Sequence, residues 1–180
     1  MNAESFTNVV SELEGKECWR VVSAWGSFIS IDAGTRLANQ IGPNRRTVES
    51  GEYCVFVQCA QWRLCRASQV LATSLDDLSD GSEAHRNLCS IEGQKIRSTR
   101  ILNDYFDLAV VFDNGCELIV FCNACNDWAS NYSISNFNTS YCVKCDNRVM
   151  KVWVEETHDG EEKDNGEKGQ TVFPLNGNRK

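Results

Sequence analysis

The sequence predicts a mainly β, α+β fold in which two related β-rich halves, an internal duplication, pack as one compact domain with one or two short helices. Three observations predict it. Short runs of β-branched and aromatic residues recur between glycines, as at Gly26, Gly34 and Gly51, the signature of strands closed by turns. The pattern then repeats. Glu14-Gly15-Lys16 recurs as Glu92-Gly93-Gln94, and Ile31-Asp32-Ala33-Gly34 recurs as Phe112-Asp113-Asn114-Gly115. The run from Glu52 to Cys59-Ala60-Gln61-Trp62 has its counterpart in the run from Glu117 to Cys125-Asn126-Asp127-Trp128. Third, 180 residues with 42% hydrophobic and 24% charged content suit one folded domain, and a unit of about 75 residues is marginal unless it shares its core with a second. A disordered or fibrous chain is excluded.

Taken in order, residues 4–14 read as an amphipathic helix, with Phe6, Val9, Val10 and Leu13 at helical spacing and Gly15 as its stop. Residues 18–22, 27–31 and 52–59 read as strands. The polar stretch 35–50, with Gly42-Pro43-Asn44-Arg45-Arg46 inside it, reads as a loop. The third strand runs into Trp62-Arg63-Leu64-Cys65, and residues 70–73 add a short strand. Ser74 reads as a helix cap for residues 75–87, with Leu75, Leu78, Ala84 and Leu88 as the apolar side and Asp76, Asp77, Asp80 and Glu83 as the charged one. The halves are thus expected at about 15–73 and 93–154, with the helix at about 75–88 between them. Residues 155–180 are acidic and poor in apolar groups, so burial cannot offset the entropy of ordering them. They read as a flexible tail beyond the 1–154 domain, with Val172, Phe173 and Leu175 as the only residues suited to dock back.

The balance of 18 Lys and Arg against 25 Asp and Glu gives a net charge of -7. Such a surface repels a phosphate backbone, which argues against nucleic acid and for a basic protein partner. No apolar run approaches the roughly 20 residues of a membrane span. Residues 1–6 lack the basic and apolar parts of a secretory leader, so a cytoplasmic protein without membrane partners is expected.

Ten cysteines in a reducing compartment point to thiols or a metal rather than to disulfides. Cys122-Asn123-Ala124-Cys125, then sixteen residues, then Cys142-Val143-Lys144-Cys145 matches the spacing of a four-thiolate zinc ribbon. Two knuckles would close a tetrahedral, structural Zn site with no position open for water. Free thiols are the alternative, since this chain also uses cysteine as a small apolar residue. Cys18, Cys54, Cys59, Cys65, Cys89 and Cys116 have no motif spacing and read as buried thiols. A nucleophilic cysteine needs a base, and the only histidines are His85 and His158. Nucleophile elbows, phosphate loops, dinucleotide fingerprints and H-E-x-x-H are all missing from the sequence, so no enzyme and no catalytic residue is expected. Trp62 and Trp128 are expected in the core at matching positions, and Arg45-Arg46 at a solvated loop tip.

Several of these patterns together carry a resemblance. Trp25-Gly26-Ser27-Phe28-Ile29 leading to Asp32-x-Gly34, Gly51-Glu52 leading to Cys59-x-x-Trp62-Arg63-Leu64, Glu92-Gly93-Gln94, and residues 108–112 leading to Asp113-x-Gly115 and Trp128 resemble a family of small bacterial proteins similar to interbacterial-toxin immunity proteins. That resemblance implies a non-enzymatic chain that binds and neutralises a bacterial protein toxin. Its acidic residues Asp76, Asp77, Asp80 and Glu83 would then face a basic toxin domain. A zinc-ribbon adaptor or scaffold built on Cys122, Cys125, Cys142 and Cys145 is the alternative function. A thiol-redox sensor using the same pairs comes third.

Overall fold

The computed structural model describes residues 3–23, 27–41, 46–123, 129–136, 139–146 and 148–153. Helix α1 (Ala3–Ser11) precedes strands β1 (Glu17–Ser23), β2 (Ile29–Ile41), β3 (Arg46–Val57), β4 (Gln61–Arg66) and β5 (Gln69–Thr73). Helix α2 (Glu83–Cys89) precedes β6 (Gln94–Ile101), β7 (Leu108–Phe112), β8 (Cys116–Phe121), β9 (Ser130–Asn136), β10 (Thr139–Lys144) and β11 (Val149–Trp153). The predicted mainly β, α+β class is what the chain adopts. All eleven strands form one antiparallel sheet, ordered β11-β10-β9-β3-β2-β1-β6-β7-β8-β4-β5. No described helix is long and apolar enough to cross a membrane.

The order has a simple logic. A helix leads into a three-strand meander, β1-β2-β3 or β6-β7-β8, and each meander passes its next hairpin to the other: β4 pairs with β8, and β9 pairs with β3. The two wings join through a seam of only two residue pairs between β1 and β6, and their apolar rows meet in one core. Ile29, Ile31, Val55, Val57 and Ile134 come from one wing, and Leu64, Ile96, Leu108, Leu118 and Val120 from the other. Alternate residues point inward in β8, where Cys116, Leu118 and Val120 are buried and their neighbours half-buried, because the pleat has a period of two.

Contacts across the seam are reciprocal. Gly15 N–H donates to the Ile96 carbonyl at 2.7 Å, and Gly93 N–H donates to the Cys18 carbonyl at 2.6 Å. Glu92 Oε1 accepts from Val21 N–H at 2.7 Å, and Glu14 Oε1 accepts from Thr99 N–H at 2.9 Å. Each carboxylate thus satisfies a strand N–H of the other half. The buried Trp62 donates from Nε1 to the Ser27 carbonyl at 2.7 Å, and Tyr132 donates from its hydroxyl to the Phe106 carbonyl at 2.8 Å.

Three expectations need correction. Residues 35–50 are not a loop: β2 and β3 stay paired from Arg36↔Gly51 out to Ile41↔Arg46, forming a two-stranded arm whose described residues are mostly exposed. A ribbon with water on both faces needs no apolar alternation, so its sequence looks like a loop. The central helix spans residues 83–89, capped by Ser82, whose hydroxyl accepts from His85 N–H at 3.0 Å. It does not begin at Ser74, because Asp76 and Asp77 use their side chains to make turns. The first helix likewise ends at Ser11 and gives way to turns. In the register, Trp62 pairs with Val120 and Tyr132 with Val57, and both rings are buried in the core. Trp128, like Trp25 and residues 155–180, lies outside the described residues.

Candidate functional site

Residues 74–83 link β5 to α2 and carry the four predicted carboxylates. The segment is built by local hydrogen bonds. Asp76 Oδ2 accepts from Thr73 N–H at 2.7 Å and from its hydroxyl at 2.9 Å. Asp77 accepts from Ser79 N–H and from the Ser79 hydroxyl, both at 2.9 Å, and its main-chain carbonyl accepts from the Ser82 hydroxyl at 2.7 Å. Those bonds to Ser79 hold the Asp77 carboxyl below the usual carboxylate range. Leu78 is buried, and its carbonyl accepts from the Ser23 hydroxyl at 3.2 Å, which ties the turn to the end of β1. Aspartate side chains that bond the backbone two or three residues away favour turns over helix.

Two of the four carboxylates, Asp76 and Asp77, therefore shape the turn, and two are left to project. Asp80 has a side chain 96% exposed, 3.8 Å from His85 Nε2, and Glu83 is exposed in the first turn of α2. Between them and β5 stands Leu75, 85% exposed. The sequence pattern assigns Leu75 to a buried helix side; the structure leaves it exposed in the turn after β5. The only available signal was Thr73-x-x-Asp76, which fits a side-chain-closed turn.

The cysteine quartet divides. Cys122 follows β8, its thiol 3.5 Å from the Phe106 carbonyl and its N–H on Asp107 Oδ1 at 2.7 Å. Burial, with the negative Asp107 second, pushes this thiol up to about 12. Cys142 lies on the other wing, with its thiol near the Ser140 hydroxyl. It neighbours the inward Val143 in the strand, so it faces away from the core. Cys145 is buried and disulfide-bonded, which corrects the expectation of thiols or a metal at that position, and Cys125 lies outside the described residues. Among the described residues no three His, Cys, Asp or Glu side chains gather as metal ligands would.

The six remaining cysteines are free, as expected, but only Cys18 and Cys116 are buried; Cys54, Cys65 and Cys89 are half-buried and Cys59 is exposed. One of them meets a histidine. Cys89 Sγ lies 3.7 Å from His85 Nε2, the same nitrogen that faces Asp80. A base relay needs the carboxylate on one ring nitrogen and the nucleophile on the other. Burial, then Glu92 and Asp80, raise the Cys89 thiol, opposite to the shift that activates a thiolate.

A second cluster went unnoticed in the sequence. Trp19 sits at a bulge in β1 between Cys18 and Arg20. The guanidinium carbons of Arg20 and Arg36 lie over its ring at 4.9 and 4.8 Å from the centroid. Arg20 also binds the buried Asp32 at 2.7 Å, and Asp32 Oδ1 accepts from Gly51 N–H at 2.9 Å. The Trp19 indole N–H is buried without a hydrogen-bond partner.

No family model matches the chain, and no curated protein and no solved structure matches it.

Proposed function

We propose that this chain is a non-enzymatic, cytoplasmic protein-binding module of the immunity type, which neutralises a protein toxin by covering a basic surface with residues 75–83. The observation that carries this reading is Leu75, 85% exposed, on a segment that also carries the exposed Asp80 and Glu83 and is fixed by its own side chains. An apolar side chain that packs into a partner and excludes water concentrates binding energy. A turn ordered before binding loses little entropy on docking, and exposed carboxylates steer a basic partner toward it. The repeated topology supplies a rigid frame, and we propose that it descends from a duplicated unit.

The test is a binding titration against the product of the adjacent gene. Association should slow as salt rises, and the triple variant Leu75→Ser, Asp80→Lys, Glu83→Lys should weaken binding by about tenfold or more while thermal unfolding stays unchanged. Absence of binding at micromolar concentration discards the reading. Elemental analysis of the same sample addresses the zinc-ribbon adaptor, which requires one zinc per chain bound by thiolates.

A further inference from the structure

The Trp19 cluster is an incomplete site. Its indole N–H is buried and has no hydrogen-bond partner among the described residues, an unfavourable state that an acceptor would relieve. Arg20 already has a carboxylate, Asp32. Arg36 lies on the indole face at the base of the arm, and its guanidinium is in no ion pair among the described residues. One donor without an acceptor and one guanidinium without a carboxylate, on the same ring, call for a carboxylate ligand.

The chain carries a source of carboxylates at the right place. Residues 155–167 hold seven, against one lysine. They follow β11, and the register tells where β11 points. Val152 pairs with Ser140, Ser135 with Ser140, Cys54 with Ser135, Asp32 with Cys54, and Arg20 with Asp32. The last residues of β11 thus share a row with Arg20, on the sheet face away from the core. From β11 to β1, which carries Trp19 and Arg20, there are five strand steps, about 24 Å at about 4.8 Å each. Residues 154–162, if extended, reach about 30 Å. The track between is lined by Ser140, Ser135 and Cys54 on that row, small side chains that leave room for a chain to pass.

We propose that the acidic segment 155–167 folds back across this face and docks a carboxylate on Trp19, Arg20 and Arg36. The site recognises a carboxylate-bearing peptide, and the chain supplies its own. Ion pairing, rather than apolar burial, orders the segment, so its composition is no obstacle.

NMR of the full-length, nitrogen-15-labelled chain tests this. Three samples are compared: the native sequence, Arg36→Glu, and a variant with Glu155→Gln, Glu156→Gln, Glu161→Gln and Glu162→Gln. In the native chain part of 155–167 should show restricted fast motion, and the Trp19 indole N–H resonance should lie at a hydrogen-bonded position. Both variants, and high salt, should release the segment and move that resonance, with no dependence on protein concentration. Arg36 is exposed and the glutamines lie beyond the last strand, so either variant keeps the test open if the other fails to fold. Three results overturn the proposal: a segment that moves as a free chain in the native protein, an ordered segment that neither variant releases, or an indole shift that grows with concentration and so reports a second copy.

Discussion

The two wings solve the same packing problem with different residues. Trp62 reaches the Ser27 carbonyl from one side, and Tyr132 reaches the Phe106 carbonyl from the other. Their outer parts diverge. Where β7 turns tightly into β8 through Asp113 and Asn114, β2 and β3 run on into the arm beyond Gly51. The β5 edge is covered by α2, whose Asn87 side-chain amide donates to the Leu71 carbonyl at 2.8 Å, whereas the β10 edge is covered by an additional strand, β11. Core contacts come in pairs, and surface features come singly. The shared core needs neither the arm, nor the Leu75 turn, nor the Trp19 stack, so these single features are the ones to test for function.

The sharpest way to break the pairing is at its aromatic centre. Trp62→Ala should cost about 3–5 kcal/mol, the usual range for a large aromatic lost from a core, and Tyr132→Ala a similar amount. Tyr132→Phe keeps the ring and removes the hydroxyl's bond to the Phe106 carbonyl, which still has the Cys122 thiol at 3.5 Å, so about 0.5–1.5 kcal/mol is expected. Urea unfolding with unchanged m-values measures all three. A Trp62→Ala loss well below that of Tyr132→Ala would show that the wings do not share the core equally.

Smaller differences should appear where the hairpins diverge. A methyl group at Gly51 would lie 2.5 Å from the Tyr53 carbonyl oxygen and 2.7 Å from the Ala33 nitrogen. Both are backbone atoms and cannot swing aside. Gly51→Ala should cost about 1–3 kcal/mol through overpacking and loosen the arm, visible as faster amide exchange in residues 36–41. At the matching turn of the other half, Gly115 has φ +80° and open space around it, so Gly115→Ala should cost about 1 kcal/mol through its backbone conformation alone. Equal costs would mean that the arm base is no tighter than an ordinary turn.

Which of these features the sequence discloses follows from how each is encoded. Glu14-Gly15 and Glu92-Gly93 were legible because both the carboxylate and the glycine are required at each crossing of the seam. The strands were legible because their apolar residues alternate. The arm was hidden because nothing packs on it, and Leu75 was hidden because spacing alone cannot tell a helix face from a side-chain-closed turn. Trp128 drew the match to Trp62 by identity. The chain takes a longer path from Val120 to Tyr132 than from Val57 to Trp62, so the register that brings Tyr132 into the core is not visible in the repeat. The Trp19 stack depends on a bulge joining two arginines far apart in sequence, which no local pattern encodes. Of the predicted site, the four carboxylates do share one segment, but Asp76 and Asp77 are occupied by the turn itself.

Alkaline titration compares the halves with the gentlest perturbation. Cys18, in the first, is pushed up to about 12 by burial and then by the negative Glu92 and Asp32; Cys122, in the second, reaches about 12 by burial and then Asp107. The unfolded chain releases these protons near the ordinary thiol value of 9.0, while the folded chain keeps them. The folded form therefore binds more protons between about 9 and about 12, and its stability is intact below that window and falls as pH rises through it. Each thiol can contribute at most about 1.4 kcal/mol per pH unit. Unfolding free energies between pH 8 and 10.5 should decline, and Cys122→Ala should flatten the decline by its share, whatever it does to absolute stability. An unchanged slope would mean that water reaches the Cys122 thiol in the folded protein, and that the second wing is looser at the Phe106 end than the first is at Cys18.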